Sequence, residues 1–213
     1  MDVIVYDSGQ AIVNSDNKRD NEEQEIKYLK ENEVIRLITG IKSELHRMLS
    51  LFLFESASRI SEALVVKIKD IDFYQGSVKL ITLKQRKKAY RVLKISDKLK
   101  SEILLYMKEL NLTNEDYLFT RKTETRHISM QAVNQQMTRY FKEILGSEYA
   151  DRAHPHTFRH SRAIQLLNSG MNVIQLMRVL GHSHIRNTLI YLQYSNKDIA
   201  KTIQESNKTM GLY

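Results

Sequence analysis

The sequence has no cysteine and no tryptophan, and only one proline and seven glycines among 213 residues. Without cysteine there are no disulfides and none of the common thiolate zinc frameworks, a pattern that fits a reducing compartment. No apolar run approaches the ~18 residues of a membrane-spanning helix. The acidic first residues are not those of a secretory signal, so a soluble, cytoplasmic protein is expected. Internal repeats and low-complexity tracts are missing too. What remains is a globular balance, 42% hydrophobic and 27% charged, in a chain long enough to bury a full core.

Acidic residues are scarce outside the first 25 positions. Those 25 hold seven acids against Lys18 and Arg19, a local net of −5. The formal total of +8 therefore leaves +13 on the other 188 residues. Such a basic domain implies a polyanionic partner, usually nucleic acid.

Periodicity gives the organisation. Residues 1–25 lack a helical period and read as an acidic, flexible tail. Short helices are predicted at Val34–Ile38 and Leu45–Phe54, and a third from Ser58 towards Asp70. "SVKLITL" and "AYRVLKIS", joined by "KQRKK", predict an antiparallel hairpin with a basic tip. Helices follow from Asp97 to Leu110 and from Ser129 to Gly146. Three more run from near His156 to Gly170, from Asn172 to Gly181, and from Asn187 to Tyr194. The fold class is mainly α with a small antiparallel β-sheet (α+β).

Five of the seven histidines lie in "AHPHTFRHSRA" and "LGHSH": His154, His156, His160, His182 and His184. By themselves they suggest a zinc site and a metal-dependent hydrolase. Arg152, Arg159, Arg162, Arg178 and Arg186 crowd the same segments, however, and that cationic setting repels a dication; neither metal nor cofactor is expected. Phosphate suits the pattern better. On a helix opening near His156, residues His156, Arg159 and His160 share a face close to the N-terminus, where free N–H groups favour an anion. Arg159 adds a fork matched to two phosphate oxygens.

Three further features fit the same chemistry. Arg59 in "SRISEAL" sits at an otherwise apolar helix start, with Glu62 at i+3 to orient it. The hairpin tip is dense in cations; Arg86, Lys87, Lys88 and Arg91 read as a DNA-backbone strip, and a lysine such as Lys84 could protonate a leaving oxygen. Tyr191 follows His182 by nine residues. Its phenol would need a base or a positive field to act as a nucleophile.

Together, "SRISEALVVKIKDID", the hairpin after "LITLK", "HPHTFRHSRAIQLLNSG", "VIQLMRVLGHS" and "TLIYLQYS" resemble, in order and spacing, the catalytic domain of the tyrosine recombinases, the phage-integrase and Xer-type family. The resemblance implies that fold over 26–195 and a terminal segment, 196–213, that docks on a neighbouring protomer. It makes Arg59, Lys84, His156, Arg159, His182 and Tyr191 catalytic, with Glu62 and His160 in support. The implied activity is site-specific DNA recombination (integration, excision or inversion) through a 3′-phosphotyrosyl intermediate, without metal or ATP. Type IB topoisomerase-like relaxation and a catalytically silent DNA-binding relative are the alternatives. Partners implied are double-stranded DNA, three further copies in a tetramer on paired sites (a monomer when free), and an accessory DNA-binding protein; the protein would be nucleoid-associated. Three departures stand out. Ala57 replaces the usual glycine, the hairpin offers Lys84, Lys87 and Lys88 for one role, and Tyr194 rivals Tyr191. Only about 25 residues precede the match, as in small stand-alone members or a fragment of a longer enzyme.

Overall fold

The computed structural model describes residues 25–82, 89–121, 126–195 and 207–209. All but the last residue of the acidic tail, and most of the terminal segment 196–213, lie outside them. Among the described residues no helix is long and apolar enough to cross a membrane.

The helices begin where side chains can satisfy their free N–H groups. α1 (Glu31–Gly40) opens with Glu33 accepting from the Lys30 backbone N–H at 2.7 Å. α2 (Glu44–Ser56) is capped by Ser43 and buries residues on nearly every side, as a helix at the centre of a core does. α3 (Ile60–Leu64) is short. The third helix predicted to run towards Asp70 stops there because the next residues pair elsewhere: the Leu118 N–H donates to the Val66 carbonyl at 2.9 Å, and Ile68 donates to Asp116 at 3.0 Å.

Three antiparallel strands follow, β1 (Ile71–Asp72), β2 (Ser77–Thr82) and β3 (Ala89–Lys94), in the order β1-β2-β3 with Leu80 opposite Arg91. The predicted hairpin is present, extended by β1. Ser96 caps α4 (Asp97–Leu110), and Ser129 caps α5 (Met130–Tyr140) by accepting from the Ala132 N–H at 3.1 Å. α5 continues as a π-helical turn, Phe141–Leu145, ended by Gly146.

α6 (His156–Asn168) opens directly after Pro155. α7 (Val173–Leu180) is framed by reciprocal Asn172 and Gln175 side-chain bonds at one end and by Gly181, at φ +63°, at the other. The last predicted helix is only one turn, α8 (Arg186–Leu189). A 3₁₀ turn, Leu192–Tyr194, comes after it, and i→i+3 bonds replace the α-helical ladder around Tyr191.

α6 separates two apolar clusters. Phe158 faces the larger one, built from α1, α2, the sheet, α4 and α5, and meets Phe141 with ring centroids 6.4 Å apart. Ala163, Ile164 and Leu167 face a smaller cluster with Ala57, Leu176, Leu180 and Tyr191. Arg59, Glu62, Arg91 and Arg159 lie where α6 meets the end of α2 and the start of α3.

Candidate active site

Ala57 ends α2 in the left-handed region, at φ 47°. A side chain there costs about 1–2 kcal/mol, which explains why glycine is usual at this position. The turn aims the Ala57 carbonyl at Arg159 and places Arg59, two residues later, at the N-cap of α3.

Arg59 donates to Glu62 twice, from its backbone N–H to Oε2 and from Nη1 to Oε1, both at 3.0 Å. Glu62 is buried and also accepts from Arg91 Nη2 at 2.8 Å. Burial alone would raise its pKa, but Arg91 and Arg59 outweigh burial and hold the carboxyl below its ordinary range. One buried carboxylate thus fixes two guanidinium groups. The expected role of Glu62 in orienting Arg59 matches this geometry.

Arg91, read from the sequence as part of the DNA-backbone strip, is turned inward: its side chain is 10% exposed and bonded to Glu62, with Nη1 also 3.5 Å from Thr82 Oγ1. Its strand neighbours Tyr90 and Val92 are 65% and 57% exposed, and Lys94 is exposed on the same side, while Leu93 shares the inner side with Arg91 and packs against the core. The buried carboxylate of Glu62 is the partner that accommodates the inward guanidinium. A Cβ on Gly181 would lie 3.0 Å from Arg91 Nη1 and 3.3 Å from Cζ. Glycine therefore lets the loop carrying His182 close over this guanidinium.

Arg159 is buried on α6. Its Nη1 donates to the Ala57 carbonyl at 2.7 Å and its Nη2 to the Leu180 carbonyl at 2.8 Å, tying the end of α2 to the end of α7. Nη2 also lies 2.9 Å from His182 Nε2, and His182 Nδ1 lies 2.9 Å from the hydroxyl of the buried Thr188. Burial first, then the nearby Arg59, lowers the Arg159 pKa to about 10, which leaves it cationic at neutral pH. Burial and the charges of Arg159, Arg59 and Arg91 push His182 down to about 4.

Tyr191 is 2% exposed. Its hydroxyl lies 2.9 Å from His160 Nδ1. Burial raises the phenol above its ordinary pKa, while Arg159 and Arg59 pull the other way. Burial, with His156, His154 and Arg159 adding to it, pushes His160 down to about 4. His160, expected in support of the catalytic residues, meets the Tyr191 hydroxyl directly. His156 stands at the exposed start of α6, its ring centroid 6.4 Å from that of His160.

Arg59, Arg159, His182 and Tyr191 are thus brought together, with Glu62, Arg91 and His160 around them. Lys84, Arg86, Lys87 and Lys88 lie outside the described residues. Tyr194 is held apart: its hydroxyl accepts from the Ile26 backbone N–H at 2.9 Å and its ring packs edge-on against Tyr28. No three His, Asp or Glu side chains among the described residues converge as a metal-binding group. Sequence reasoning missed Thr188 and the carbonyls of Ala57 and Leu180. The spacing of the motifs does not reveal their role, which comes from the packing of α6 against distant turns.

With both imidazoles neutral, three guanidinium groups and one carboxylate leave this partly buried site at a net charge of +2. Fixed donors of that sign, beside a buried phenol, suit an anionic group at which negative charge develops.

Residues 27–198 match the phage integrase family. The chain is 32% identical over 158 residues to a probable integrase/recombinase of Acholeplasma phage L2, an alignment covering 73% of this chain and 50% of the relative. It is 28% identical over 182 residues to the tyrosine recombinase XerA of Pyrococcus horikoshii, covering 84% and 61%. The chain therefore spans between half and two thirds of the length of these relatives. The fold is also that of the XerH site-specific recombinase solved bound to palindromic difH substrate as a post-cleavage complex. That match has a TM-score of 0.68 at 19% identity and covers 86% of this chain and 52% of the other.

Proposed function

This chain belongs to the phage integrase family, and on that premise we propose that it cuts and rejoins DNA strands at specific sites through a 3′-phosphotyrosyl intermediate. The observation that carries the reading is the positive, partly buried pocket in which Arg159 holds His182 and the charges of Arg159 and Arg59 act on the Tyr191 hydroxyl, itself bonded to His160. Residues 26–195 form the catalytic unit in this reading. Double-stranded DNA is the substrate, as it is supported by the substrate-bound XerH complex, and four copies act on paired sites.

In the reaction the Tyr191 oxygen attacks the scissile phosphorus. Its O–H bond breaks as the O–P bond forms, and His160 Nδ1 is the nearer proton acceptor, with His156 one turn outward to pass the proton to solvent. Arg59 and Arg159 donate to the non-bridging oxygens and His182 joins them, so that donors fixed in advance meet the charge of the pentacoordinate state. The bond from phosphorus to the 5′ oxygen then breaks, and Lys84 supplies the proton that this oxygen takes. The broken bond's energy stays in the phosphotyrosine, so rejoining needs no cofactor. Glu62 and Arg91 hold Arg59 and the His182 loop in place.

The test is a pool of nicked duplexes with randomised arms, incubated with the chain in EDTA and run on a denaturing gel. Wild type should form a covalent DNA adduct and Tyr191→Phe none. An adduct that vanishes on chelation, or that persists in Tyr191→Phe, contradicts the reading.

A further inference from the structure

The hydrogen bonds around His182 decide which of its ring nitrogens carries the proton. A guanidinium nitrogen donates and does not accept. With Arg159 Nη2 only 2.9 Å away, His182 Nε2 is the acceptor in this arrangement. The ring is neutral at pH 7, so its single proton is on Nδ1. There it is donated to Thr188 Oγ1 at 2.9 Å.

Catalysis asks for the opposite arrangement. Nδ1 points at a fully buried hydroxyl, so only Nε2, on the Arg159 side, can reach a phosphate oxygen beside that arginine. An anionic oxygen accepts, so Nε2 must then carry the hydrogen and Nδ1 becomes the acceptor. A threonine hydroxyl serves both states. It accepts from Nδ1–H in one and, after rotation about its Cβ–Oγ bond, donates to Nδ1 in the other. The ring holds one proton throughout; it leaves Nδ1 and arrives at Nε2 by exchange with water.

Thr188 is also well placed to hold this geometry. Its backbone N–H donates to the Ile185 carbonyl at 2.7 Å, and its own carbonyl accepts from the Tyr191 N–H at 3.1 Å. Its β-branched side chain has few rotamers. One residue therefore joins the histidine, through its side chain, to the turn that carries the tyrosine, through its backbone.

We propose that Thr188 is a positioning residue that lets His182 Nε2 change from acceptor of an Arg159 hydrogen bond to donor when a DNA phosphate binds. The proposal rests on the recombinase reading for its second state and on the hydrogen bonds of His182 for its first.

Two measurements test it on the full chain. Nitrogen NMR of ¹⁵N-histidine-labelled protein reads the tautomer directly, with the His182 signals identified by their loss in His182→Gln. In the empty wild type the proton should be on Nδ1; in Tyr191→Phe bound to a nicked duplex selected from the pool above it should be on Nε2. A proton on Nε2 in the empty protein, or on Nδ1 in the complex, overturns the proposal. The second measurement is single-turnover cleavage. Thr188→Val keeps the shape and loses the hydroxyl, and should slow cleavage at saturating DNA about 100-fold with DNA affinity unchanged. Thr188→Ser should stay within a few-fold of wild type. If Thr188→Val does not fold, Thr188→Ala against Thr188→Ser isolates the hydroxyl with the methyl absent from both, and the same ratio is expected. Equal rates for the hydroxyl and non-hydroxyl variants overturn the proposal. A wild type that forms no adduct instead defeats the recombinase reading, and the empty-state NMR result still stands or falls by itself.

Discussion

Arg159→Lys should slow strand cleavage about 10³-fold in single-turnover assays, although it keeps the positive charge. The guanidinium makes separate hydrogen bonds to the Ala57 carbonyl, the Leu180 carbonyl and His182 Nε2, and it does so as a planar fork. A lysine ammonium is a single point on a flexible stem and cannot reproduce that spread. Loss of one fixed donor at a developing anion typically costs 10²- to 10³-fold, and here His182 also loses the partner that orients it. Stability should fall as well, by about 2 kcal/mol, because two buried carbonyls lose charge-assisted bonds. A lysine variant that cleaves at close to the wild-type rate would remove Arg159 from the phosphate site.

Glu62→Ala has the largest expected effect on the fold. The carboxylate is buried and bonded to both Arg59 and Arg91, so its removal leaves two cations facing each other without their shared partner. Breaking a buried ion pair from one side costs about 3–5 kcal/mol, or a drop in Tm of roughly 10 °C for a chain of this size. Glu62→Gln keeps the shape and should fall between the two. Thermal unfolding monitored by circular dichroism checks both values; a Tm for Glu62→Ala within 2 °C of wild type, about the effect of a surface exchange, would contradict this account of the network.

The pH dependence has a definite sign. Glu62 titrates below its unfolded value, so its contribution is complete above the ordinary carboxylate range and is lost as pH falls through the folded value. His160 and His182, both lowered to about 4, act earlier. Between their unfolded value near 6.5 and their folded value, the unfolded chain binds the extra protons, so stability falls as pH drops through that window.

Much of this site is legible in the sequence because its spacing is local. Arg59 and Glu62 are three apart, and a helix start converts that spacing into contact; His156 and Arg159 have the same spacing at the start of α6. Ser129 and Asn172 mark two helix starts for the same reason, while the cap of α4 is Ser96, one residue before the Asp97 at which the helix is predicted to begin. What could not be read depends on packing over long stretches of chain. His156 and His160 share one face of α6, and nothing local says which of them meets a tyrosine 31 residues from His160. Arg91 looks solvated because Tyr90 and Val92 beside it are apolar, and alternation alone would turn those two inward. Arg91 instead shares the inner side with Leu93 and meets Glu62, 29 residues earlier. Thr188 opens the segment "TLIYLQYS", yet nothing in that segment shows its role, which lies in the ring nitrogen it faces.

Tyr191 and Tyr194 are three residues apart, and the structure separates them by environment. One hydroxyl meets His160 within the arginine-rich pocket, and the other is held by the Ile26 backbone against Tyr28. Mass spectrometry of the covalent DNA adduct, after proteolysis and nuclease trimming, therefore tests the central claim most directly. The nucleotide remnant should be found on Tyr191. A remnant on Tyr194, or on any residue outside the pocket formed by Arg59, Arg159 and His182, would contradict it.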